Sequence, residues 1–138
     1  MSGRLELIIG GMFSGKSSEL IRRLKRYQAI NAKVLVINSA KDTRSNVEVL
    51  QTHDMVTFDC IKTEDLLPVV EDENYKNTHI IGIDEAQFFP HLLSFVKIAL
   101  QDSKHIIVAG LDGDFKQQMF GDILHLIPLC DDVQKLTA

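Results

Sequence analysis

The sequence has few cysteines and no closely spaced pair of them. Its 138 residues include only two, Cys60 and Cys130, and each stands alone in an apolar segment. Because no CxxC pair is present, the spacing typical of a redox motif or a zinc site is missing. We therefore expect two reduced thiols in the core, a reducing environment and a cytoplasmic location.

Long apolar runs and an excess of basic residues are also missing. No apolar run exceeds five residues, and the first residues lack the apolar segment of a secretory signal. The 15 Lys and Arg residues are outnumbered by 19 Asp and Glu residues, which gives a net charge of −4. Because binding along a nucleic-acid backbone depends on clustered positive charge, we expect no nucleic-acid or membrane partner. A small anionic ligand remains compatible with this charge.

The composition is that of an ordinary globular chain, with 45% hydrophobic and 25% charged residues, and its length fits one domain, residues 1–138. Short, β-branched apolar runs alternate with helical patterns, which is typical of strands buried on both faces of a parallel sheet. We therefore predict an α/β fold with an open, mainly parallel sheet flanked by helices. The predicted strands are 5–9, 34–37, 56–61, 80–83 and 106–109, and the predicted helices are 17–28, 63–67, 90–101 and 121–129.

The first predicted helix carries a cluster of basic residues. Its apolar side is formed by Leu20, Ile21 and Leu24, and the rest of its surface is basic. Such a cluster either binds nucleic acid or lies on a solvated helix face near the negative end of the helix dipole, and we expect the solvated face. The basic residues are Arg22, Arg23, Lys25 and Arg26.

Residues 10–17 read GGMFSGKS and match the phosphate-binding pattern GxxxxGK[ST], between a predicted strand and a predicted helix. Glycines in this pattern let backbone N–H groups turn toward phosphate oxygens. Lys16 would bring a positive charge to the β and γ phosphates, and Ser17 would offer its hydroxyl to magnesium. We therefore predict that a nucleoside triphosphate binds to Gly10, Gly11, Met12, Phe13, Ser14, Gly15, Lys16 and Ser17.

The predicted strand 80–83 ends in two adjacent carboxylates, Asp84 and Glu85. This segment resembles a Walker B motif, in which the Asp holds magnesium at the carboxyl end of a strand. Glu85 would then act as a general base toward an attacking oxygen. The alternative is a strand end with solvated acids, but a phosphate loop on what we take to be a neighbouring strand favours the functional interpretation.

Polar loops follow other predicted strands. Residues 41–44, KDTR, would bring Asp42 and Arg44 to the same edge of the sheet, although an ordinary polar loop has the same composition. Residues 52–54, THD, are expected to be solvated. In the loop 110–115, Phe115 either fills the core or stacks on a flat ligand.

Together these stretches resemble the thymidine kinase family of the cellular and poxviral type. The matching pieces occur in family order and cover nearly the whole chain: GGMFSGKSSELIRRLKRY, KDTR, THD, IGIDEAQFF, VAGLDGDF and ILHLIPLCDDVQKLTA. The resemblance implies a P-loop NTPase core of the RecA-like type. It also implies transfer of the γ-phosphoryl group of ATP to the 5′-hydroxyl of thymidine or deoxyuridine, with Mg²⁺, in nucleotide salvage. A homo-oligomer, commonly a tetramer, is implied as well.

The resemblance also implies roles for single residues. Glu85 would take the proton of the 5′-hydroxyl, Asp84 and Ser17 would serve the magnesium, and Arg44 would supply charge to the transition state. Other residues implied at the nucleotide are Asp42, Thr43, Ala86 and Gln87, and those implied around the thymine ring are Met12, Phe88, Leu111 and Phe115.

The chain departs from the usual family pattern at three positions. Gly11 replaces a proline, Ser18 a threonine and Ala86 a glycine, and we expect phosphate binding to survive these mild changes. In the family, a zinc-binding lobe and a lasso over the base follow the segment that ends here at 135–138. We therefore expect zinc in a full-length member but no zinc ligands in this chain.

Two other interpretations remain open. Without the lasso, the chain would be an ATP-binding remnant that shows no turnover. Alternatively, residues 84–87, DEAQ, resemble the DExx box of helicase-like ATPases that act on nucleic acid.

Overall fold

The computed structural model describes residues 3–11, 14–40, 58–111 and 121–137. Within these residues, six strands form a single sheet. The strands are β1 (Arg4–Gly10), β2 (Val34–Ser39), β3 (Asp59–Thr63), β4 (Ile80–Ile83), β5 (His105–Leu111) and β6 (Asp132–Leu136). The helices are α1 (Lys16–Ala29), α2 (Glu73–Lys76), α3 (Leu92–Gln101) and α4 (Gly121–His125), with 3-10 turns at Leu67–Glu71, Ala86–Phe88 and Ile127–Leu129.

The strands lie in the order β3-β2-β4-β5-β1-β6, and every neighbouring pair is parallel. This confirms the predicted open parallel sheet. The expectation that the strands 5–9 and 80–83 are neighbours is wrong, because β5 pairs with β1 on one side and with β4 on the other. Both hydrogen-bonding edges of β1 are thus occupied, by β5 and β6.

Both faces of the sheet are buried, which explains the nearly continuous apolar runs in the central strands. On one face, apolar side chains of α1 pack against the sheet: Leu20 and Leu24 lie in one cluster with Ile8, Val36 and Ile107. On the other face, α3 packs against alternate residues of the same strands: Phe95 and Val96 lie with Leu7, Leu35 and Ile81. Among the described residues, no helix has both the length and the apolar character needed to span a membrane.

Several element boundaries differ from the prediction. Thr63 ends β3 and its hydroxyl accepts the Asp65 N–H in a turn, so the predicted helix 63–67 is wrong. A 3-10 turn begins instead at Leu67, where Pro68 fits the first turn. Near the carboxyl terminus, α4 is followed by a separate turn around Pro128, and β6 was not predicted at all.

The expectation that both cysteines are core residues is wrong for Cys60, whereas Cys130 packs against the core cluster. Both thiols are free, but Cys60 is exposed and Cys130 is half-buried. Cys60 lies on β3, which within the described part of the chain pairs only with β2 and forms an edge of the sheet. The predicted strand 56–61 began earlier than β3, and residues 56 and 57 lie outside the described residues.

A buried ionic cluster joins α1 to the start of the sheet. Glu6, on β1, is 7% exposed and Arg23, on α1, is 5% exposed. Arg23 Nη1 donates to Glu6 Oε1 at 2.7 Å, and His105 Nε2 lies 2.5 Å from Glu6 Oε2. Arg23 Nε also donates to Glu19 Oε2 at 2.8 Å. The expectation that Arg23 lies on a solvated face is therefore wrong, because four polar partners from α1, β1 and β6 hold it: Glu6, Glu19, Asp132 and Gln134.

These contacts stabilise the ionised form of Glu6. The hydrogen bond with His105, joined by the contacts with Arg23, lowers the pKa of Glu6 from 4.5 to about 2, although burial acts in the opposite direction. Because the pKa is lower in the folded state, the contribution to stability is complete above about pH 4.5. It is lost as the pH falls toward 2.

We predict that Glu6→Gln lowers the free energy of unfolding at pH 7 by roughly 3 kcal/mol, because it removes one partner from a buried ion pair. The difference from wild type should shrink as the pH falls from 4.5 toward 2, where Glu6 itself becomes protonated. Urea titrations at pH 7 and pH 2.5 measure both differences. Glu64→Gln, the same change at an exposed carboxyl, is the control, and an equal gap at the two pH values contradicts the assignment.

Candidate active site

The predicted site residues that the structure describes lie at or near the carboxyl edge of the sheet. Gly10 ends β1, Asp84 follows β4, and Leu111 ends β5 beside Gly10. Because these strands are parallel, the segments that leave them meet at the same edge, where ligands bind in open α/β sheets. α1 begins at Lys16, within the phosphate-binding pattern, so that its amino terminus lies at this edge as well.

Two glycines allow the tight path of the chain between β1 and α1. Gly15 has a φ of 86°, in the left-handed region that favours glycine, and it is the N-cap of α1. A Cβ added to Gly10 would lie 2.5 Å from the Leu136 carbonyl oxygen and 2.6 Å from Ser14 Oγ. A larger residue at Gly10 would therefore displace the loop or β6.

Lys16 is held over this loop by the loop itself. Its Nζ donates to the Gly11 carbonyl oxygen at 2.6 Å and to Ser14 Oγ at 3.4 Å. The Ser14 hydroxyl donates to the same carbonyl at 2.8 Å. The ammonium group is thus bound to neutral oxygens close to the first turn of α1.

The two residues predicted to serve magnesium contact each other. Ser17 Oγ donates to the Asp84 carboxylate, at 3.0 Å from Oδ1 and 3.2 Å from Oδ2. Asp84 is only 2% exposed, so its charge is largely removed from water. A hydroxyl and a carboxylate are hard oxygen donors of the kind that Mg²⁺ uses together with water and phosphate oxygens. The donor set therefore fits this metal.

Glu85 is held in a constrained position next to Asp84. Its φ of 52° is left-handed, which is uncommon for a residue other than glycine and is concentrated at functional sites. Gln87 Nε2 donates to Glu85 Oε2 at 2.6 Å, and Gln87 Oε1 accepts the Leu111 N–H at 3.1 Å. Gln87 therefore ties the carboxylate to the end of β5.

The residues around this turn have different environments. Ala86 is fully buried and belongs to the core cluster on the face opposite α1. Phe88 is 38% exposed and Leu111 is half-buried. Six other predicted site residues lie outside the described residues: Met12, Phe13, Asp42, Thr43, Arg44 and Phe115.

Sequence reasoning did not single out Asn38, and it missed the contact of Gln87 with Glu85. Asn38 is 3% exposed and lies near the end of β2, the strand beside β4. Asn38 could have been noticed as a polar residue directly after the apolar run 34–37, in a strand that is buried on both faces. No local signal indicates that Gln87 reaches both Glu85 and β5, because the β5 contact joins residues 24 positions apart.

The parallel sheet, the loop before α1 and the contact between Ser17 and Asp84 define a P-loop protein. The family model for thymidine kinase matches residues 3–138. This chain therefore belongs to the thymidine kinase family.

Individual relatives agree with the family assignment. Over 136 residues, or 99% of this chain, it is 45% identical to the cytosolic thymidine kinase of Bos taurus. Its identity is also 45% to thymidine kinase a of Arabidopsis thaliana and to the thymidine kinase of vaccinia virus strain Ankara. The chain spans 56%, 59% and 75% of these three proteins, respectively, so that it covers little more than half of the first two.

A solved structure has a similar fold at low sequence identity. The flagellar accessory protein FlaH from Methanocaldococcus jannaschii superposes with a TM-score of 0.66 and 16% identity. The match covers 90% of this chain and 68% of FlaH. At this identity the likeness concerns the fold alone.

We predict that Gln87→Leu speeds hydrogen exchange of the Leu111 amide, because the variant removes the acceptor of this N–H. It should also lower the free energy of unfolding by roughly 1 kcal/mol, the net contribution of one hydrogen bond. Hydrogen–deuterium exchange and urea unfolding measure the two effects. Gln101→Leu, the same change at an exposed position, serves as the control. An unchanged exchange rate at Leu111 would show that the bond to Gln87 does not protect this amide.

Proposed function

We propose that this protein is a thymidine kinase, which transfers the γ-phosphoryl group of ATP to the 5′-hydroxyl of thymidine. The observation that carries the proposal is the contact of Ser17 with Asp84, beside Lys16, in a chain of the thymidine kinase family. Transfer of this kind needs positioning and charge neutralisation rather than covalent participation of the protein. The residues at the carboxyl edge supply groups for both tasks.

In the proposed complex, residues 10–17 hold the phosphates of ATP. Lys16 exchanges the Gly11 carbonyl for phosphate oxygens, which are charged and therefore stronger acceptors. The first turn of α1, with its backbone N–H groups and positive dipole end, begins at Lys16 and would support the same phosphates. Asp42, Thr43 and Arg44 belong to the proposed nucleotide site through the family resemblance, with Arg44 as a source of positive charge.

Ser17 and Asp84 are the proposed magnesium ligands. Their oxygens are already within hydrogen-bond distance, so little rearrangement is needed to place both at one cation. When bound, Mg²⁺ neutralises charge on the β and γ phosphates. Asp84 is buried, which strengthens its attraction for a cation because water screens it less.

Glu85 is the proposed general base that takes the proton of the 5′-hydroxyl. Its left-handed backbone and the hydrogen bond from Gln87 limit the orientations of the carboxylate. A base held in one orientation loses less freedom when the substrate binds, which favours transfer. For the thymine ring we propose Met12, Phe88, Leu111 and Phe115, of which Phe88 and Leu111 lie at the carboxyl edge beside Glu85.

Other parts of the proposal rest on the family resemblance. They are a homotetrameric assembly, a cytoplasmic location, acceptance of deoxyuridine, and zinc in a longer form of the protein. The family match and the 45% identity favour the kinase over the DExx-box ATPase acting on nucleic acid and over an ATP-binding remnant.

The first test replaces the proposed base. Glu85→Gln keeps the size of the side chain but cannot accept the proton, so transfer of labelled phosphate from ATP to thymidine should fall by about 10²- to 10⁴-fold. ATP binding, measured by calorimetry, should stay close to wild type. Glu71→Gln, at an exposed carboxyl, is the control. Normal transfer by Glu85→Gln excludes Glu85 as the base.

The second test addresses the phosphate site. Lys16→Ala should weaken ATP binding roughly 10- to 100-fold, the equivalent of one hydrogen bond to a charged group. Lys97→Ala removes an exposed lysine on α3 and should leave the affinity unchanged. Equal affinities in the wild type and both variants would remove Lys16 from the proposed site.

A further inference from the structure

The Asn38 side chain is buried without hydrogen-bond partners. It is 3% exposed, and among the described residues neither its Oδ1 nor its Nδ2 has a partner. Buried carboxamides in proteins almost always form hydrogen bonds, because an unpaired one loses its bonds to water without replacement. A buried carboxamide without a partner in the described part of the chain therefore indicates a binding partner that is absent from the protein alone.

Asn38 lies on the same face of the sheet as α1. Side chains alternate along β2, and Val34 and Val36 pack in the cluster that contains Leu20 and Leu24 of α1. Asn38 comes two residues after Val36 and therefore points to this face, one step nearer the carboxyl edge. Its side chain thus belongs to the layer between the sheet and α1.

Asp84 is the neighbour of Asn38 in the sheet. β2 and β4 are parallel, Ile37 is paired with Ile83, and the Asp84 N–H donates to the Ile37 carbonyl oxygen at 3.2 Å. The pairing therefore continues one residue beyond β4 and sets Asp84 beside Asn38. Asn38 and Asp84 are therefore at the same level along their strands, and neighbouring strands lie about 4.8 Å apart.

The Asp84 side chain is on the α1 face too. Its carboxylate accepts both hydrogen bonds from Ser17 of α1. Two residues earlier, a Cβ added to Gly82 would lie 2.8 Å from Leu24 Cδ1, which places that position against α1 as well. The orphaned carboxamide and the buried carboxylate therefore project side by side from adjacent strands.

We propose that Asn38 is a positioning residue of the magnesium site, and that its carboxamide hydrogen-bonds water that the metal keeps beside Asp84. Mg²⁺ retains several waters when proteins bind it through one or two side chains, and those waters need acceptors in a buried site. A carboxamide supplies an acceptor without adding negative charge near the phosphates. The inference rests on the proposed nucleotide site and adds a residue to it.

The test measures metal binding without turnover. Mn²⁺ replaces Mg²⁺ as the probe, and its free concentration is followed by electron paramagnetic resonance in the presence of a non-hydrolysable ATP analogue. Asn38→Leu should weaken Mn²⁺ binding about 10-fold or more, as expected for the loss of an outer-shell partner of a metal. Asn74→Leu, the same change at an exposed position of α2, is the control.

A second readout separates this role from a purely structural one. Leucine has a similar volume and removes two unpaired polar atoms, so Asn38→Leu should be at least as heat-stable as wild type in EDTA. Asn38→Asp keeps an oxygen acceptor and should recover most of the Mn²⁺ affinity. Asn38→Val also lacks an acceptor, so it should weaken Mn²⁺ binding as well and keeps the test decisive if the leucine variant fails to fold.

The outcomes distinguish the two proposals. If wild type binds Mn²⁺ with the analogue and Asn38→Leu binds it equally well, the role of Asn38 is overturned while the nucleotide site stands. A loss of stability in EDTA with unchanged Mn²⁺ affinity overturns it as well, because Asn38 would then act only in the fold. If wild type binds no Mn²⁺ with the analogue, the nucleotide site and the role of Asn38 fall together.

Discussion

The hydrogen bond from Ser17 to Asp84 connects positions 67 residues apart and depends on the parallel direction of the strands. α1 follows β1 and Asp84 follows β4, so both leave the sheet at its carboxyl edge. β5 lies between these strands, and therefore the side chains rather than the backbones make the contact. Lys16 and Glu85 are the sequence neighbours of this pair, so the same contact also sets the distance between the proposed phosphate-binding and proton-accepting groups.

Contacts near the amino ends of the strands help to position α1. Arg23 lies on α1, the helix that carries Lys16 and Ser17, and it is fixed by Glu6 on β1 and by side chains of β6. A buried ion pair adds little net stability compared with apolar packing, but it selects one arrangement because a shifted helix would leave charges unpaired. Apolar contacts through Leu20 and Leu24 act along with it. The contacts of Arg23 with β1 and β6 thus help to fix where the amino terminus of α1 lies at the carboxyl edge.

Local patterns predicted the central strands and longer helices because burial on both faces requires apolar runs, and the candidate site was read from two motifs. Strand order was not predictable, since the spacing of apolar residues carries no information on which strands pair. β6 was missed because its residues are mostly polar and half-exposed at an edge. The burial of Arg23 was missed because its partners Asp132 and Gln134 are 109 and 111 residues away. Cys60 was predicted to be buried because its segment is apolar, but an apolar segment does not show whether its strand lies at the edge of the sheet.

Three polar groups at the carboxyl edge differ in their hydrogen-bond partners. Lys16 binds a neutral carbonyl, Ser17 binds a carboxylate, and Asn38 has no partner among the described residues. In the proposed complex Lys16 gains phosphate oxygens, and bonds to charged groups are roughly twice as strong as neutral ones. Asn38 gains metal-bound water, so the nucleotide complex relieves the cost of a buried carboxamide that the fold alone leaves unpaired, which is the pattern expected where a site is shaped for its ligand rather than for stability.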